Sequence, residues 1–475
     1  MIMSKAHFGL IGFGVMGENL VLNAERNGFS SVIYNRTYAK IEDFLSGRGA
    51  GRQRIDSARD LQEFTRKLER PRRILMMVKA GAAVDALIEQ ISPFIEEGDL
   101  LIDGGNSEFH DTERRVAQLE SKGLGFIGMG VSGGAKGALE GPSIMPGGTK
   151  ASYKIIEDLV QKIAAQAEDG PCVAYIGPGG AGHLVKTVHN GIEYSMQQIL
   201  AEAYDLMKRV GNMSCKEIAD VFSHWNNTEE LSSYLVEITE ICLRTKDPET
   251  GDSLVEKIMD QAAQKGTGLW TVVSALQAGV PVPTIYASVN ARVMSSMHRQ
   301  RQQAANTLRG PVAKPFTIGT LANGMAPLMD AVILGYIASY SQGMELLRVV
   351  SEEREYGLQL YSIARIWKGG CIIRARLLEQ VQEAFSIDPH LCNLLTNPWF
   401  VEQVNRRLPK LASIVAGAAE SGIPVPCLSS TLNYINSYRT ARLPQNLVQA
   451  MRDCFGSHTY QRTDREGTFH TEWLK

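Results

Sequence analysis

The chain has 475 residues, enough for about three domains of ordinary size, and 44% of them are hydrophobic while 21% are charged. That composition is typical of a globular protein and excludes a chain that is disordered throughout. The 49 basic and 51 acidic residues give a formal net charge of −2, so no excess of positive charge favours binding to nucleic acid, and we expect no nucleic-acid partner.

Apolar runs are short and the cysteines are dispersed. The longest later apolar runs, such as residues 411–419, reach about half of the ~20 residues that a membrane-spanning helix needs, so we expect no membrane association. The seven cysteines are an odd number, and none of them forms a CxxC pair for zinc or redox chemistry. This usage is typical of a reducing compartment and predicts a cytoplasmic protein with no bound metal.

The first part of the chain alternates short β-rich runs with amphipathic segments. The predicted strands are residues 8–11, 32–34, 74–78, 100–103, 126–129 and 173–176, and the segments between them include predicted helices at 18–26, 83–91 and 111–122. This alternation indicates βαβ units around a mainly parallel sheet. We therefore predict an α/β Rossmann-type domain over residues 1–178.

A glycine-rich motif follows the first predicted strand and opens the first predicted helix. It fits the pattern GxGxxG and consists of Gly12, Phe13, Gly14, Val15, Met16 and Gly17. Its glycines permit a tight turn, a close approach to a pyrophosphate and close helix–sheet packing, while the helix N-terminus attracts the phosphates. In this strand–helix context the motif favours a dinucleotide site over an idle turn.

The end of the second predicted strand indicates which dinucleotide binds. A site that prefers NAD carries Asp or Glu there, whereas this chain has Asn35-Arg36-Thr37. A guanidinium suits the 2′-phosphate of NADP, which a carboxylate would repel, so NADP is the predicted cofactor. The alternative is that Arg36 is an ordinary solvated surface charge.

Two later strand ends are expected at the same edge of the sheet. They are Val78-Lys79-Ala80 and the glycine-containing run that leads to Asn106. Asn106 is a neutral donor and acceptor, so it could orient the nicotinamide or the substrate, or only cap the helix that begins nearby.

Residues 179–443 are predicted to form a large all-α domain, after a glycine-rich break at residues 177–182. Period-3.6 patterns cover residues 183–210, 216–224, 229–244, 253–263, 270–278, 283–305, 327–350 and 357–382, and more follow from residue 400 onward.

The first of these helices carries a stripe of chemically diverse side chains on one face. Its members, at spacings of i, i+3, i+4, i+7 and i+8, are Lys186, His189, Asn190, Glu193 and Tyr194. An amine, an imidazole, an amide, a carboxyl and a phenol together could perform acid–base chemistry. The alternative is a solvated stripe with a Lys–Glu interaction within the helix.

Further candidate binding groups are scattered along the chain. The run Ser132-Gly133-Gly134 could hold a carboxylate or hydroxyl through backbone N–H groups, and Lys265, Thr267 and Arg292 suit a phosphate. Residues 444–475 form a predicted tail with four aromatic residues, which indicates docking against another surface, although a frayed terminus is the alternative.

Together these motifs resemble the family of decarboxylating 6-phosphogluconate dehydrogenases. The resemblance runs nearly end to end and extends to residues 101–107, 130–134, 141–143, 182–194, 265–268, 367–374 and 452–460. It implies oxidation of 6-phospho-D-gluconate by NADP, followed by loss of CO2 to give D-ribulose 5-phosphate. Length supports it, because the smaller β-hydroxyacid dehydrogenases lack the long helical region.

The resemblance also implies a role for each candidate residue. Lys186 is the expected base and Glu193 the expected acid. The groups expected to hold the sugar acid are Asn106, Ser132, Gly133, Gly134, His189 and Asn190. The phosphate is expected to bind Tyr194, Lys265, Thr267 and Arg292, together with Arg452 and His458 from the tail of the other subunit. A homodimer with composite active sites follows from this expectation.

Two alternatives to this function stay open on the sequence. One is a related β-hydroxyacid or aldonate dehydrogenase, and the other is a catalytically silent homologue that binds the cofactor. The chain also departs from the usual family pattern at Ala135, Lys136 and Leu269, where affinity for cofactor or substrate could differ.

Overall fold

A computed structural model describes residues 5–312 and 314–474. Residues 1–4 of the first predicted domain and residue 475 of the predicted tail lie outside the described residues. The main sheet has seven strands in the order β3-β2-β1-β4-β5-β6-β7, and only β7 runs antiparallel to its neighbour. The strands are β1 Phe8–Ile11, β2 Ser31–Tyr34, β3 Ile55–Ser57, β4 Arg73–Met76, β5 Leu100–Asp103, β6 Gly125–Ser132 and β7 Ser143–Gly148.

Helices connect and cover these strands, so apolar side chains fill both faces of the sheet. They are α1 Val15–Arg26, α2 Ala39–Ser46, α3 Leu61–Arg66, α4 Ala82–Ile91, α5 Phe109–Glu120, α6 Gly134–Glu140 and α7 Lys150–Ile163. A small hairpin follows, made of β8 Gln166–Ala167 and β9 Gly170–Pro171. The predicted Rossmann-type architecture is therefore confirmed.

One predicted strand is wrong, and two strands of the main sheet were not predicted. Residues 173–176 run beside β7 but form no continuous ladder with it, because the pairing consists of isolated bridges at Val173 and, just beyond the segment, at Gly177. Strand β3 was missed because its three residues, Ile-Asp-Ser, carry almost no β signal. Strand β7 was missed because Pro146, Gly147 and Gly148 are breaker residues, which an edge strand tolerates.

The rest of the chain is mainly helical, as predicted. The helices are α8 Ala181–Arg209, α9 Cys215–Asn226, α10 Tyr234–Arg244, α11 Thr267–Gln277, α12 Pro283–Ser296, α13 His298–Thr307, α14 Ala326–Glu353, α15 Leu360–Ile366, α16 Leu377–Ile387, α17 Pro398–Glu420 and α18 Pro426–Tyr438. Short 3₁₀ turns lie at Ser92–Phe94, Leu254–Glu256, Leu321–Asn323 and Leu394–Thr396.

Three predicted helical stretches need correction. Residues 253–263 form only a 3₁₀ turn, because the backbone N–H groups beyond it do not continue a helical ladder. The stretch 283–305 is two helices that meet at Met297, and 357–382 is divided around Gly369 and Gly370 into α15 and α16. A pair of glycines, or one residue with a non-helical backbone, can interrupt a helix while the spacing of hydrophobic residues continues across the break. The spacing alone therefore predicts one long helix where there are two.

Helices α8 and α14 form the centre of the helical region and pack along each other. Two glycines of α14 allow this close packing. A Cβ on Gly335 would lie 2.7 Å from Ile199 of α8, and a Cβ on Gly343 would lie 2.5 Å from Ile192 of α8. The surrounding helices enclose both, so α8 is buried on nearly every side along its first four turns. Within residues 5–312 and 314–474, no helix is long and apolar enough to cross a membrane.

The C-terminal tail contains α19 Gln445–Gly456 and a hairpin of β10 Tyr460–Gln461 with β11 Thr468–Phe469. The predicted boundaries after residues 178 and 443 fall in the loop before α8 and in the connection between α18 and α19. The division of the chain into domains at these points stays a prediction.

Candidate active site

A cavity of about 670 Å³ opens in front of the turn between β1 and α1. Gly12 has φ +94°, and a Cβ there would lie 2.5 Å from the carbonyl oxygen of Met77, so the turn requires glycine. Among the described residues, no non-neighbouring atom lies within 4 Å of a Cβ placed on Gly14. The free N–H groups at the start of α1 therefore face open space that suits a pyrophosphate.

The other members of the glycine-rich motif contribute unequally to this cavity. Val15, Met16 and Gly17 line it, and the Val15 side chain is 62% exposed. Phe13 does not line it, because its ring is buried against Phe44 with centroids 4.8 Å apart. Phe13 can therefore offer a ligand only its backbone.

Of the residues that follow β2, one is hydrogen-bonded to the glycine-rich turn and two are exposed to solvent. The Asn35 side chain accepts a hydrogen bond of 3.0 Å from the Phe13 N–H and donates one of 2.8 Å to the Thr37 carbonyl. Asn35 therefore holds the turn and the β2 end in one arrangement. Arg36 and Thr37 are exposed, so both are accessible to a phosphate group.

The ends of β4 and β5 meet the helical region at the same cavity. Its lining includes the predicted residues Val78, Lys79, Ala80 and Asn106, together with Lys265 from the segment before α11. Lys265, which the resemblance assigns to the substrate phosphate, thus lines the same cavity as the residues predicted to bind the cofactor. The alternative that Asn106 caps α5 is wrong, because the Glu108 side chain accepts the capping hydrogen bonds.

Asp103 was not predicted as a site residue, yet it organises the loop that carries Asn106. Its carboxylate accepts hydrogen bonds from the Gly105 N–H at 3.0 Å and the Ser107 hydroxyl at 2.6 Å. Its carbonyl lies 3.1 Å from His183 Nε2 at the start of α8. The only sequence signal was its place at the end of a buried strand.

The chemically diverse stripe of α8 is enclosed and does not face solvent. The side chain of His189 is fully buried, Lys186 is 6% exposed and Tyr194 is 7% exposed. Asn190 is also buried, and the Glu193 side chain is 18% exposed. The alternative of a solvated surface stripe is therefore wrong.

Strand β6 closes over Lys186 from the sheet side. A Cβ on Gly130 would lie 2.5 Å from the Cβ of Lys186, and a Cβ on Gly182 would lie 2.4 Å from the carbonyl oxygens of Gly128 and Met145. Only a strand and a helix that both have glycine at the contact can approach so closely. Their approach buries the amine without a side chain between the two backbones.

Burial shifts the pKa values of the two candidate catalytic groups, Lys186 and Glu193, in opposite directions. Burial lowers the pKa of the Lys186 amine, while the neighbouring Glu193 and Cys371 oppose the change. Burial raises the pKa of the Glu193 carboxyl, and Lys186 and Arg292 oppose that change. Burial is thus the cause that lowers the pKa of Lys186, and the charges around it act in the other direction.

A chain of hydrogen bonds joins three elements of the candidate substrate site. Ser132 Oγ lies 3.1 Å from His189 Nε2, His189 Nδ1 lies 3.1 Å from Asn190 Oδ1, and the Asn190 amide donates to Thr267 Oγ1 at 3.1 Å. Since Asn190 Oδ1 can only accept, the proton of His189 lies on Nδ1 and Nε2 accepts from Ser132. Burial, reinforced by the charge of Lys186, lowers the pKa of His189 well below its usual value, so the ring is neutral.

The glycines after Ser132 adopt conformations that favour glycine. Gly133 has φ +116° and Gly134 has φ +62°, and a Cβ on Gly133 would lie 2.5 Å from the carbonyl oxygen of Gly370. This contact brings the segment between α15 and α16 against the start of α6. From that segment, the Trp367 ring meets His189 edge to face with centroids 5.6 Å apart. These contacts of Trp367 and Gly370 were not predicted, although both residues belong to the motif at 367–374.

Arg292 of α12 forms the far end of the site. Its guanidinium lies 3.4 Å above the centroid of the Tyr194 ring, and it donates to the Ala263 carbonyl at 3.0 Å. It also donates at 2.5 Å to Gln197, whose amide donates to Glu193 Oε1 at 3.2 Å. Gln197 therefore links Arg292 to the candidate acid. Its position at i+4 from Glu193 on α8 could have identified it.

The structure does not bring Arg452 and His458 to this site within the same chain. Both are exposed on the tail, and Arg452 donates a hydrogen bond of 3.0 Å to Gln449 one turn earlier on α19. The exposed apolar side chains of α19 lie on one face of the helix. They are Leu447, Val448, Met451 and Phe455.

Comparisons with known proteins cover nearly the whole chain. Residues 7–177 match the family model described as the NAD binding domain of 6-phosphogluconate dehydrogenase, and residues 182–473 match the model of its C-terminal domain. The chain is 56% identical over 473 residues to the decarboxylating 6-phosphogluconate dehydrogenase of Synechococcus elongatus, across 99% of this chain and 100% of that protein.

Two further relatives extend this similarity to function and structure. The NADP(+)-dependent, decarboxylating 6-phosphogluconate dehydrogenase of Bacillus subtilis is 48% identical, with 100% of both chains covered. The 6-phosphogluconate dehydrogenase of Plasmodium falciparum superposes with a TM-score of 0.93 at 41% identity, across 98% of this chain and 100% of that one. That enzyme has been solved in its apo form, with its cofactor NADP+ and with its substrate 6-phosphogluconate.

Proposed function

The chain belongs to the family of decarboxylating 6-phosphogluconate dehydrogenases, and on this premise we propose that Lys186 and Glu193 carry out its proton transfers. The reaction is the NADP-dependent oxidation of 6-phospho-D-gluconate to D-ribulose 5-phosphate and CO2. The observation that carries the assignment is the enclosure of both groups on one face of α8, with pKa values shifted in opposite directions. Such opposed shifts are characteristic of an acid–base pair.

The glycine-rich cavity fits NADP. The free N–H groups of the first turn of α1 would hold the pyrophosphate, and exposed Arg36 and Thr37 would hold the 2′-phosphate. Residues 78–80 and Asn106 would line the nicotinamide end of the cavity. When bound there, NADP supplies the acceptor for the hydride that leaves C3 of the substrate.

Lys186 acts first as a base and then as a cation. Burial favours its neutral amine, which removes the proton from the C3 hydroxyl as that carbon is oxidised to a ketone. The C3 ketone lies β to the C1 carboxylate, so it accepts the electron pair of the breaking C1–C2 bond as CO2 departs. The protonated Lys186 then stabilises the oxygen of the resulting enediolate.

Glu193 completes the sequence as an acid. Burial raises the pKa of its carboxyl and so favours the protonated form, whose proton passes to the carbon that becomes C1 of ribulose 5-phosphate. The hydrogen-bonded chain of Ser132, His189 and Asn190 would orient the hydroxyl and carboxylate groups of the substrate. Asn106 and the backbone of Gly133 and Gly134 complete this part of the proposed site.

The phosphate end of the substrate would bind Tyr194, Lys265, Thr267 and Arg292. We further propose that the active protein is a homodimer in which Arg452 and His458 of the partner subunit complete this end. The exposed apolar face of α19 supports this assembly, because an isolated tail gains nothing from such a face in water. We propose that the protein acts in the cytoplasm, in keeping with its seven free cysteines.

One assay tests this function against its alternatives. The purified protein should form NADPH and release CO2 in equal amounts from 6-phosphogluconate, with a lower kcat/KM when NAD replaces NADP. Equal kcat/KM for gluconate and 6-phosphogluconate would overturn the phosphate assignments and favour an unphosphorylated aldonate. Tight NADP binding without any turnover would instead identify a silent cofactor-binding homologue.

A further inference from the structure

The tail contains a buried carboxylate to which no role has been given above. Asp453 is the one buried residue of α19, and its side chain has no exposed surface. It directly follows Arg452 and lies five residues before His458. Burial of a carboxylate is costly unless every oxygen lone pair finds a donor, so its environment is informative.

Each carboxylate oxygen of Asp453 accepts two hydrogen bonds. Oδ1 accepts from the Thr459 N–H at 2.8 Å and from His470 Nδ1 at 2.9 Å. Oδ2 accepts from the Thr471 N–H at 3.0 Å and from the Trp473 indole at 2.8 Å. Four donors match the capacity of an ionised carboxylate. Although burial opposes the shift, these hydrogen bonds keep the pKa of Asp453 below its usual value.

These hydrogen bonds hold the hairpin against α19. The β10–β11 ladder pairs only two residues on each strand, which is too short to be stable alone. The donors to Asp453 come from the residues on either side of this ladder, namely Thr459 before β10 and residues 470–473 after β11. The carboxylate therefore fixes where the hairpin starts and ends relative to the helix.

The turn that presents His458 depends on the same anchor. Ser457 and Thr459 both have left-handed backbone conformations, with φ of +50° and +60°, which non-glycine residues adopt only when their surroundings hold them. The Ser457 N–H donates to the Asp453 carbonyl at 2.9 Å, and the Thr459 N–H donates to its carboxylate. Asp453 thus bonds the backbone on both sides of His458.

The His458 ring is also confined by its neighbours. A Cβ on Gly456 would lie 2.8 Å from the ring, and the Phe455 ring meets it edge to face with centroids 5.8 Å apart. Arg452 lies one position before the anchor on α19. The guanidinium and the imidazole are therefore carried by one unit whose shape Asp453 determines.

We propose that Asp453 is a positioning residue for phosphate recognition, which presents Arg452 and His458 together to the active site of the partner subunit. It does not touch the substrate. The inference rests on the proposed function, because it assumes that these two residues bind the substrate phosphate. It adds that their joint placement depends on one carboxylate.

The test compares Asp453→Asn with the matched control Asp464→Asn in the intact protein. Asp464 lies in the same tail but is exposed and pairs with Arg462 in the hairpin loop. In Asp453→Asn an amide NH2 meets two of the four donors, so we expect the KM for 6-phosphogluconate to rise at least about tenfold while kcat changes less than about threefold. The kcat/KM for gluconate should not change, and Asp464→Asn should match the unaltered protein.

A combination of variants separates positioning from general damage. Added to Arg452→Ala/His458→Ala, Asp453→Asn should have no further effect on KM, because the groups through which it acts are gone. A further rise in KM there, an equal loss with gluconate, or an unchanged KM for the single variant would overturn the inference. If Asp453→Asn does not fold, Trp473→Phe removes one donor alone and should raise KM in the same direction, and an unchanged KM would count against the inference.

The Arg452→Ala variant separates the proposed role of the tail in phosphate binding from the proposed positioning role of Asp453. If Arg452→Ala raises KM for 6-phosphogluconate and Asp453→Asn does not, the role of the tail stands and the positioning role of Asp453 fails. If Arg452→Ala leaves KM unchanged, the contribution of the tail to phosphate binding fails and the inference about Asp453 fails with it. Competitive inhibition by inorganic phosphate, which should weaken in parallel with KM, provides a second readout.

Discussion

Lys186 combines an ionisable side chain with a buried position in the helical region. Its amine is surrounded by protein on α8 and its stem lies against Gly130 of β6, so water cannot stabilise its charge. The same group would be an ordinary surface cation if α8 were exposed. The base role that we propose for Lys186 therefore depends on the packing of the strand against the helix.

Replacing Lys186 by Met should abolish NADPH formation, with kcat reduced at least about 10³-fold, because no other group can remove the C3 hydroxyl proton. The apolar side chain suits the buried position, so the fold should persist. Lys208→Met is the matched control, since Lys208 lies on the same helix but pairs at the surface with Glu256. Activity assays with thermal melts of both variants provide the measurement, and substantial activity in Lys186→Met would refute the base assignment.

The activity should depend on pH through a bell-shaped curve. Only neutral Lys186 can act as base, so kcat/KM rises with pH as the amine deprotonates, and burial moves this limb below the pH range of an ordinary lysine. Only protonated Glu193 can act as acid, so kcat/KM falls as that carboxyl ionises, and its raised pKa moves this limb upward. A kcat/KM that keeps rising to the pH at which exposed lysines titrate would contradict this assignment.

At the scale of elements, the contact between β6 and α8 depends on glycine. Ala at position 182 would place a methyl group 2.4 Å from the carbonyl oxygens of Gly128 and Met145, and backbone atoms cannot move aside as a side chain can. We expect Gly182→Ala to lower the free energy of unfolding by about 3 kcal/mol and to reduce kcat, because α8 must shift away from the sheet.

Gly310→Ala is the control for this substitution. Among the described residues, no non-neighbouring atom lies within 4 Å of a Cβ at Gly310, so the same methyl group should leave Tm nearly unchanged. Thermal denaturation of both variants provides the comparison. Equal Tm values for Gly182→Ala and Gly310→Ala would mean that the strand–helix contact is not as tight as described.

The spacing of hydrophobic residues along the sequence predicted most helices and strands but not the contacts between them. The alternation of strands and helices identified five of the six strands proposed for the sheet, since β-branched runs next to glycine turns are distinctive. Strand β7 pairs antiparallel along the edge, and its proline and glycines conceal it in the sequence. Local pattern carries no signal for such a tertiary pairing.

The same limit applies to the site. The stripe on α8 was recognisable because residues three and four apart share a helix face. Its burial, however, results from α14, β6 and α11, which lie far away in sequence. Gln197 and Trp367 were missed for the same reason, because their partners Arg292 and His189 become neighbours only in the folded chain.

At the scale of the whole molecule, the tail predicts an active site shared between two subunits. Two variants that are impaired in different parts of the site should therefore complement each other. A mixed dimer of Lys186→Met and Arg452→Ala has one site with an intact lysine and an intact partner arginine, and one site that lacks both. Since one of the two sites is intact, the purified mixed dimer should show about half of the original activity at low substrate concentration.

Coexpression of the two variants with different affinity tags, followed by purification of the doubly tagged dimer, tests this prediction. Each variant alone provides the baseline, and Lys186→Met coexpressed with itself is the control. No gain in activity from the mixed dimer would show that each tail serves its own chain or no site.

Helix α8 runs unbroken through 29 residues and carries both Lys186 and Glu193. The two residues are seven positions apart, which corresponds to about 10 Å along the axis. Because a continuous helix tends to move as one body, we expect the backbone positions of the proposed base and acid to keep their separation when neighbouring elements move. Any opening that admits 6-phosphogluconate or releases CO2 must therefore come from the elements around α8. Catalytic geometry and ligand exchange are thus assigned to different parts of the molecule, and mutations that alter the rate of opening need not alter the chemical step.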